Sequence, residues 1–512
     1  MNDCKIIRAG ANARPPIAIL GVPFDNVTRA EAIQRIEAMI ASRKPHYLVT
    51  PNVDFLVQAR RDIELRRILL EAHLVLCDGT PLVWVSRWLG NALPERVAGA
   101  DLVPSLIQVA AQKKYRLFLL GATVESAEQA VRRLEQRYPG IVIAGHYSPP
   151  FNQLLEMDHQ TIRNRILAAE PDLLFVSFGC PKQEKWVAMH YRSLGVPVTA
   201  GVGATIDFLA GKVARAPIWM QRSGTEWMFR LAQEPRRLFR RYLTDLWSFS
   251  MGIVPQWWEL QARPQWNRQK TEAKPTVTAA GASKVEYSRV QMPRRLDFAT
   301  ACEKASLSDE IDRRARDCLL DIAPTEFVDS TGVGWLIRLK KRLRARGKQL
   351  VLVSPTRGVI RALGLMGLTD FFHTADGEEA ARQLLRELAQ TQAAPTHEGQ
   401  PATLALRWRG EITAANADSV WIETRRFLTA TGPDRRKMID LSGVRFIDST
   451  GIGLMVRAKK MSLQRAETLA FVGLQPPVRS VLRLSRVEEF LIGVYPCSIG
   501  VEQNKCESAS LH

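Results

Sequence analysis

A chain of 512 residues, 46% of them hydrophobic, is long enough for about three domains with sizeable cores. Lysine and arginine number 71 against 52 acidic residues, giving +19 and a pI near 9.9, which favours an anionic partner: nucleic acid, anionic lipid or a phosphate-bearing substrate. Seven scattered cysteines without CxxC spacing give no sign of a zinc site or disulfide framework and point to a reducing cytoplasm; the N-terminus has no apolar signal core and no uncharged apolar run of about 18 residues occurs, so neither export nor membrane spanning is expected.

From Ile17 to about Leu209 short apolar runs alternate with helical spacing: IAILGV and then Arg29 to Ala41, YLVTPN and Phe55 to Arg61, LVLCDG and Leu82 to Leu89, RLFLLGA and Glu125 to Tyr138. This predicts an α/β domain, a Rossmann-like parallel sheet with helices on both faces. Its strand ends bring Thr50 and Asn52, Asp78 and Gly79, and Gly121 to one rim. Asp78, after the apolar run Leu74 to Cys77, is a carboxylate whose partial desolvation suits a general base; an ordinary Asp-Gly turn is the competing reading. Further on, Leu173 to Phe178 reads as a buried strand, Gly179-Cys180-Pro181 as a break and Gln183 to Leu194 as a helix, with Lys182, Gln183 and Glu184 beside helix N-terminal amides that suit a phosphate. Val196 to Ala200 and Gly201-Val202-Gly203 repeat the pattern, and the two glycine-bearing turns are expected to share one pocket.

GCPKQE, GVGATIDFLAGKVARAP and EWMFRLAQEPRRLFRR, preceded by TPNVDFL (50–56), CDGTPLV (77–83), RVAGADL (96–102) and FLLGA (118–122), resemble the WecG/TagA/CpsF family of glycosyltransferases over residues 16 to 245. The resemblance implies transfer of an N-acetylmannosamine-like sugar from a UDP-sugar to an undecaprenyl-diphosphate-linked acceptor in surface polysaccharide assembly. It makes Asp78 the general base, sets Thr50 and Asn52 near the sugar nucleotide, and adds Gln183 and the arginines at 230, 237 and 240, which belong to an appendage that closes over the site. Gly79, Gly121, Gly179, Lys182, Glu184, Gly201, Gly203 and Asp207 are the remaining nucleotide-sugar positions. No two aspartates stand two residues apart, so no metal or other cofactor is expected and cations with backbone amides are left to stabilise the departing diphosphate. On a single helix, positions 230, 237 and 240 share a face; a solvated basic face is the alternative.

The transferase domain is expected over 16–218 and its appendage over 219–261. Six of the twelve tryptophans (219, 227, 247, 257, 258, 266) fall in or just past that segment, among Arg222, Arg230, Arg236, Arg237, Arg240 and Arg241. This predicts a peripheral helix on the inner face of the cytoplasmic membrane rather than a nucleic-acid surface, with packing of the tryptophans against the preceding domain as the alternative. Residues 262–284 read as a linker.

EFVDSTGVGWLIRLKKR (326–342) recurs as RFIDSTGIGLMVRAKKM (445–461), an internal duplication. Both copies, expected over 285–391 and 400–497 with a disordered tail at 498–512, resemble the STAS domain of anti-sigma-factor antagonists. That resemblance makes Thr331 and Thr450 phosphoacceptors and implies a kinase or anti-sigma-type protein partner; a helix N-cap is the plainer reading of DST. The second copy lacks a glycine at the position of Gly347. Two functions follow: an active transferase with a STAS pair for control or docking, or a STAS signalling protein whose transferase domain only senses nucleotide-sugar.

Overall fold

The computed structural model describes residues 14–212, 216–217, 219–220, 225–233, 235–262, 277–279, 287–303, 311, 316–392, 405–430, 436–465, 467–485 and 487–492. Residues 1–393 form one compact unit and residues 394–512 a second. Most of the linker expected at 262–284 and the tail at 498–512 fall outside the described residues.

In the first unit, β3 (His46–Val49), β4 (Leu74–Val75), β5 (Arg116–Gly121), β6 (Val142–Tyr147), β7 (Leu173–Ser177) and β8 (Val198–Gly201) form one parallel sheet in the order β4-β3-β8-β7-β5-β6. Tyr47 and Val49 join one hydrophobic cluster while Leu48 between them joins another, as the strand's period of two requires when both faces are covered. The covering helices are α1 (Arg29–Ser42), α2 (Val53–Ala59), α3 (Ile63–Glu71), α4 (Thr80–Trp88), α5 (Gly99–Lys113), α6 (Val124–Arg137), α7 (His159–Ala169), α8 (Lys182–Leu194) and α9 (Thr205–Ala210). The expected α/β domain is thus formed.

IAILGV departs from expectation. It opens an antiparallel hairpin, β1 (Ile17–Ile19) with β2 (Val22–Phe24), and takes no place in the parallel sheet. Leu20 and Gly21, at φ 48° and 83°, form the two-residue turn whose positive φ values match strand twist.

Two helices follow, α10 (Glu226–Gln233) and α11 (Pro235–Trp257), the latter running on into a π-helical turn, Trp258–Ala262. Next comes the first repeat: β9 (Val277–Ala279), β10 (Tyr287–Gln291), β12 (Asp317–Asp321), β14 (Leu350–Val353) and β15 (His373–Ala375) make a sheet in the order β15-β14-β12-β10-β9, parallel except for β9, with a short pair of β11 (Arg295–Leu296) and β13 (Phe327–Val328). Its helices are α12 (Phe298–Glu303), α13 (Ser330–Arg344), α14 (Arg357–Leu365) and α15 (Glu378–Gln392). Asp329 caps α13 by accepting from the amides of Thr331 and Gly332 at 2.8 and 2.7 Å.

This repeat is packed onto the hairpin. Ala18 joins its hydrophobic core, and two glycines permit the approach: a Cβ on Gly21 would lie 2.3 Å from the Met366 carbonyl oxygen, and one on Gly334 would lie 2.7 Å from that of Pro16. Charged side chains of α13 reach across: Arg338 to Asp25 at 2.9 Å, Arg344 to Glu71, and the Lys341 ammonium to the Ala72 carbonyl. In return Arg66 donates to the Gly367 carbonyl at 2.9 Å. Burial pushes Asp25 up, but Arg338, Arg35 and Lys341 with the Val75 amide outweigh it and hold the carboxyl below its usual range.

The second unit holds the second repeat: β16 (Ala405–Ile412), β17 (Arg436–Ile447) and β18 (Thr468–Val472) in one parallel sheet, with α16 (Ala417–Thr429), α17 (Ser449–Gln464), α18 (Pro476–Leu484) and α19 (Glu488–Ile492). Asp448 caps α17 as Asp329 caps α13.

Candidate active site

The carboxyl ends of five parallel strands meet along one edge of the six-stranded sheet. After β3 come Thr50 and Asn52, both half-buried. The Asn52 side chain caps α2 by accepting from the Phe55 amide at 3.2 Å, a structural duty that the TxN motif did not announce. After β4 comes Asp78, half-buried, its amide donating to the Pro51 carbonyl at 3.1 Å; the Cβ position of Gly79 lies 3.9 Å from the Asn52 Cβ. At the end of β5, Gly121 has φ 96°, and a Cβ there would meet the Ser177 carbonyl at 2.4 Å, so only glycine allows β5 and β7 to end so close together.

Gln183 is the hub of the rim. It is 3% exposed, and its Oε1 accepts from the amides of Gly179 at 3.2 Å and Gly203 at 3.1 Å, tying together the turns after β7 and β8. Its Nε2 donates to Glu184 at 2.7 Å and lies where a Cβ on Gly201 would intrude. The two glycine turns are therefore joined, through a side chain rather than directly. Glu184 is buried with Oε2 unpartnered, and burial, only partly offset by the Gln183 amide, raises its carboxyl to about 7. Lys182, first in α8, donates to the Asn152 carbonyl and rides over Phe151 and Phe178; burial lowers its ammonium below the ordinary value. Asp207 is half-buried on α9.

The arginines do not share one helix. Arg230 lies on α10 and the other two on α11, because Pro235, with no amide hydrogen to give, opens a new helix. Arg240 is exposed; the side chains of Arg230 and Arg237 fall outside the described residues. Two other arginines make contacts that sequence reasoning missed. Arg96, from the RVAGADL motif, bonds Asp101 at 2.9 Å and Glu226 of α10 at 2.8 Å; burial lowers its guanidinium, but these two acids and Asp78 outweigh that and raise it. Arg241 pairs with Asp54 of α2 and so brings α11 to the rim. Arg96 stands inside a family motif and was legible as a candidate; nothing in the sequence sets Arg241 apart from its basic neighbours.

Of the two positions expected to accept phosphate, Thr331 is fully buried and Thr450 half-buried, each with a hydroxyl that finds no partner. Thr331 is enclosed at the start of the helix that docks on the hairpin.

A parallel sheet covered by helices on both faces, with polar groups and glycines at its strand ends, defines a Rossmann-like α/β domain, the kind that takes its ligands at the carboxyl ends of the strands. Residues 17–263 match the glycosyl transferase WecG/TagA/CpsF family, and residues 287–381 and 394–498 match the STAS domain. Over 226 residues the chain is 31% identical to the N-acetylglucosaminyldiphosphoundecaprenol N-acetyl-beta-D-mannosaminyltransferases of Staphylococcus aureus strains MW2 and NCTC 8325, which covers 44% of this chain and 87% of each relative. The chain belongs to the WecG/TagA/CpsF glycosyltransferase family, with two STAS domains after the transferase. A solved Thermotoga maritima structure assigned as an anti-sigma factor antagonist is 26% identical over 19% of this chain and 87% of that one, with a TM-score of 0.18.

Proposed function

We propose that the chain transfers an N-acetylmannosamine-like hexose from a UDP-linked donor to an undecaprenyl-diphosphate-linked acceptor for a surface polysaccharide. Asp78 takes the proton of the acceptor hydroxyl as that oxygen attacks the anomeric carbon and the nucleoside diphosphate leaves. Thr50, Asn52 and the turns tied by Gln183 hold the donor. Lys182 and the α8 amides, with the arginines at 230, 237 and 240, take up the charge on the departing diphosphate, with no metal required. The observation that carries the reading is the half-buried Asp78 at the carboxyl end of β4, beside the Arg96 cluster and on the rim that Gln183 ties together. The experiment is Asp78→Asn assayed with UDP-N-acetylmannosamine and a short-chain polyprenyl-diphosphate-linked N-acetylglucosamine acceptor. Turnover should fall about 10²-fold or more while donor affinity changes little, as loss of a general base requires; turnover at the wild-type rate refutes the assignment.

The acceptor's lipid implies a membrane surface, and α11 supports one. Leu238, Phe249 and Ile253 are buried, while Phe239, Leu243, Leu246, Trp247, Met251 and Val254 form an exposed stripe on the other side. A helix apolar on both sides needs a second cover, and Arg236 and Arg240 beside the stripe favour anionic headgroups. Among the described residues no helix is long and apolar enough to cross a membrane, and the stripe suits one that lies in the interface. The STAS pair serves control or docking, and a kinase reaches Thr331 only once α13 has left the hairpin.

A further inference from the structure

Helix α11 is held at both ends. Near its start Arg241 pairs with Asp54, in the first turn of the helix that Asn52 caps, and further along Arg60 of the transferase domain donates to the Ser248 carbonyl at 2.8 Å. Near its end stands Gln256, 1% exposed, with both polar atoms of its amide engaged. Oε1 accepts from the Leu20 amide at 2.9 Å, and Nε2 donates to the Ala18 carbonyl at 2.8 Å and to the Ser330 hydroxyl at 3.0 Å. The first two bonds repeat what a neighbouring strand would offer the free edge of β1, and the third reaches the serine of the first DSTG motif. Just beyond, Glu259 pairs with Arg361 of α14 at 3.2 Å.

The transfer reaction has no chemical use for Gln256, and its position is costly to leave unsatisfied, since Leu20 and Ala18 are both buried. We propose that Gln256 and Ser330 form a positioning latch through which the first STAS domain sets the closure of α11 over the strand-end rim. Gln256 then acts on the reaction through Arg241 and Asp54 and never touches substrate, an inference that rests on the transferase reading of the rim. The signature face of the first STAS domain is thereby spent on its own chain. Ser330 is engaged, Thr331 is sealed behind it, and Gly334, Arg338 and Lys341 are all occupied by the transferase domain. A phosphoryl group on Thr331 would bring close to two negative charges into a closed contact beside Asp329, so modification and docking exclude each other.

The test uses the full chain. Gln256→Glu keeps an acceptor for the Leu20 amide but turns the donor toward Ala18 and Ser330 into a second acceptor; Ser330→Ala removes only the STAS side of the latch. Hydrogen exchange across residues 241–257 is read without substrate, and kcat and KM for UDP-N-acetylmannosamine are read separately. Gln256→Glu should speed exchange in that segment about tenfold or more, as weakened docking requires. It should also raise the donor KM about tenfold with kcat within about threefold, and Ser330→Ala should show the same split at smaller size. Unchanged exchange, or a fall in kcat at constant KM, overturns the latch. If the wild-type chain turns over no UDP-sugar, the transferase reading fails and exchange alone decides whether the latch exists. Should Gln256→Glu not fold, Ser330→Ala, which costs one bond of three, decides between the two outcomes.

Discussion

Gly334 and Gly453 occupy the same position of the two repeats, in the fifth residue of α13 and of α17, and they make a matched pair of experiments. Replacing glycine by alanine inside a helix ordinarily stabilises by about 1 kcal/mol. At Gly453 a Cβ meets nothing within 4 Å, so Gly453→Ala should deliver that gain. At Gly334 the same methyl would stand 2.7 Å from the Pro16 carbonyl oxygen, 3.1 Å from its carbon and 3.3 Å from the Ala18 nitrogen. These atoms are backbone on one side and helix on the other, so no side chain can rotate away and the contact has to open. Overpacking of this kind costs about 1–3 kcal/mol, and because the helix gain is present whether or not the domain is docked, the docking itself is weakened by about 1–3 kcal/mol. Hydrogen exchange at residues 17–24, the hairpin under α13, reads the docking directly, with about a tenfold faster rate for each 1.4 kcal/mol lost. Gly334→Ala should accelerate exchange there and Gly453→Ala should leave it unchanged while slowing exchange in α17. Equal effects of the two substitutions would refute the claim that the first repeat is docked at this point.

Burial holds the Glu184 carboxyl at about 7 against an ordinary value of 4.5. A carboxyl raised on folding contributes stability in full below its unfolded value, and that contribution is lost as pH rises through the folded one. The wild type should therefore lose about 2.5 kcal/mol relative to Glu184→Gln between pH 5 and pH 8, measured by urea unfolding at both; a difference independent of pH would show that Glu184 is not buried as a neutral acid. For the membrane, Leu243→Ser with Trp247→Ser should weaken binding to vesicles containing anionic lipid about tenfold or more, since each large apolar side chain contributes about 1.5–3 kcal/mol when buried. Transfer to a water-soluble acceptor should stay near wild type. Arg241 is left intact in that test because it pairs with Asp54.

The βα alternation was legible because most strands of the sheet are short apolar runs closed by glycine, proline or a polar turn, as in LLFVS before Phe178-Gly179. IAILGV was legible as apolar but not as a hairpin: periodicity cannot distinguish a buried sheet strand from a strand buried under another domain, and the Leu20-Gly21 turn is only two residues long. The strand Val142–Tyr147 is hard to read because it is only half-buried and mixed in composition. At the site, Gln183 was legible as part of a rim, but its bonds to Gly179 and Gly203 come from side-chain geometry that spacing does not encode. The three arginines fall on one helix only if Pro235 is ignored. On α13, nothing local in the sequence tells a docked basic face from a wet one; only the partner surface, Asp25 for Arg338 and the Ala72 carbonyl for Lys341, makes the difference.

The length of α11 makes its Arg241 and Gln256 anchors the two ends of a lever, with the Arg60–Ser248 bond between them. From Gln256 to Arg241 the helix rises about 22 Å at 1.5 Å per residue, so a pivot of about 10° at the Gln256 end would swing the Arg241 end by about 4 Å. That is more than an ion pair tolerates. Through the proposed latch, a small displacement at the Ser330 hydroxyl would in this way be magnified into the making or breaking of the Arg241–Asp54 pair at the strand-end rim. The exposed stripe of Phe239, Leu243, Leu246, Trp247, Met251 and Val254 lies along the same arm, where a lipid surface would bear on it from outside. On the proposed membrane and latch readings, helix α11 would balance two loads, one from the bilayer along its length and one from the STAS domain at its fulcrum.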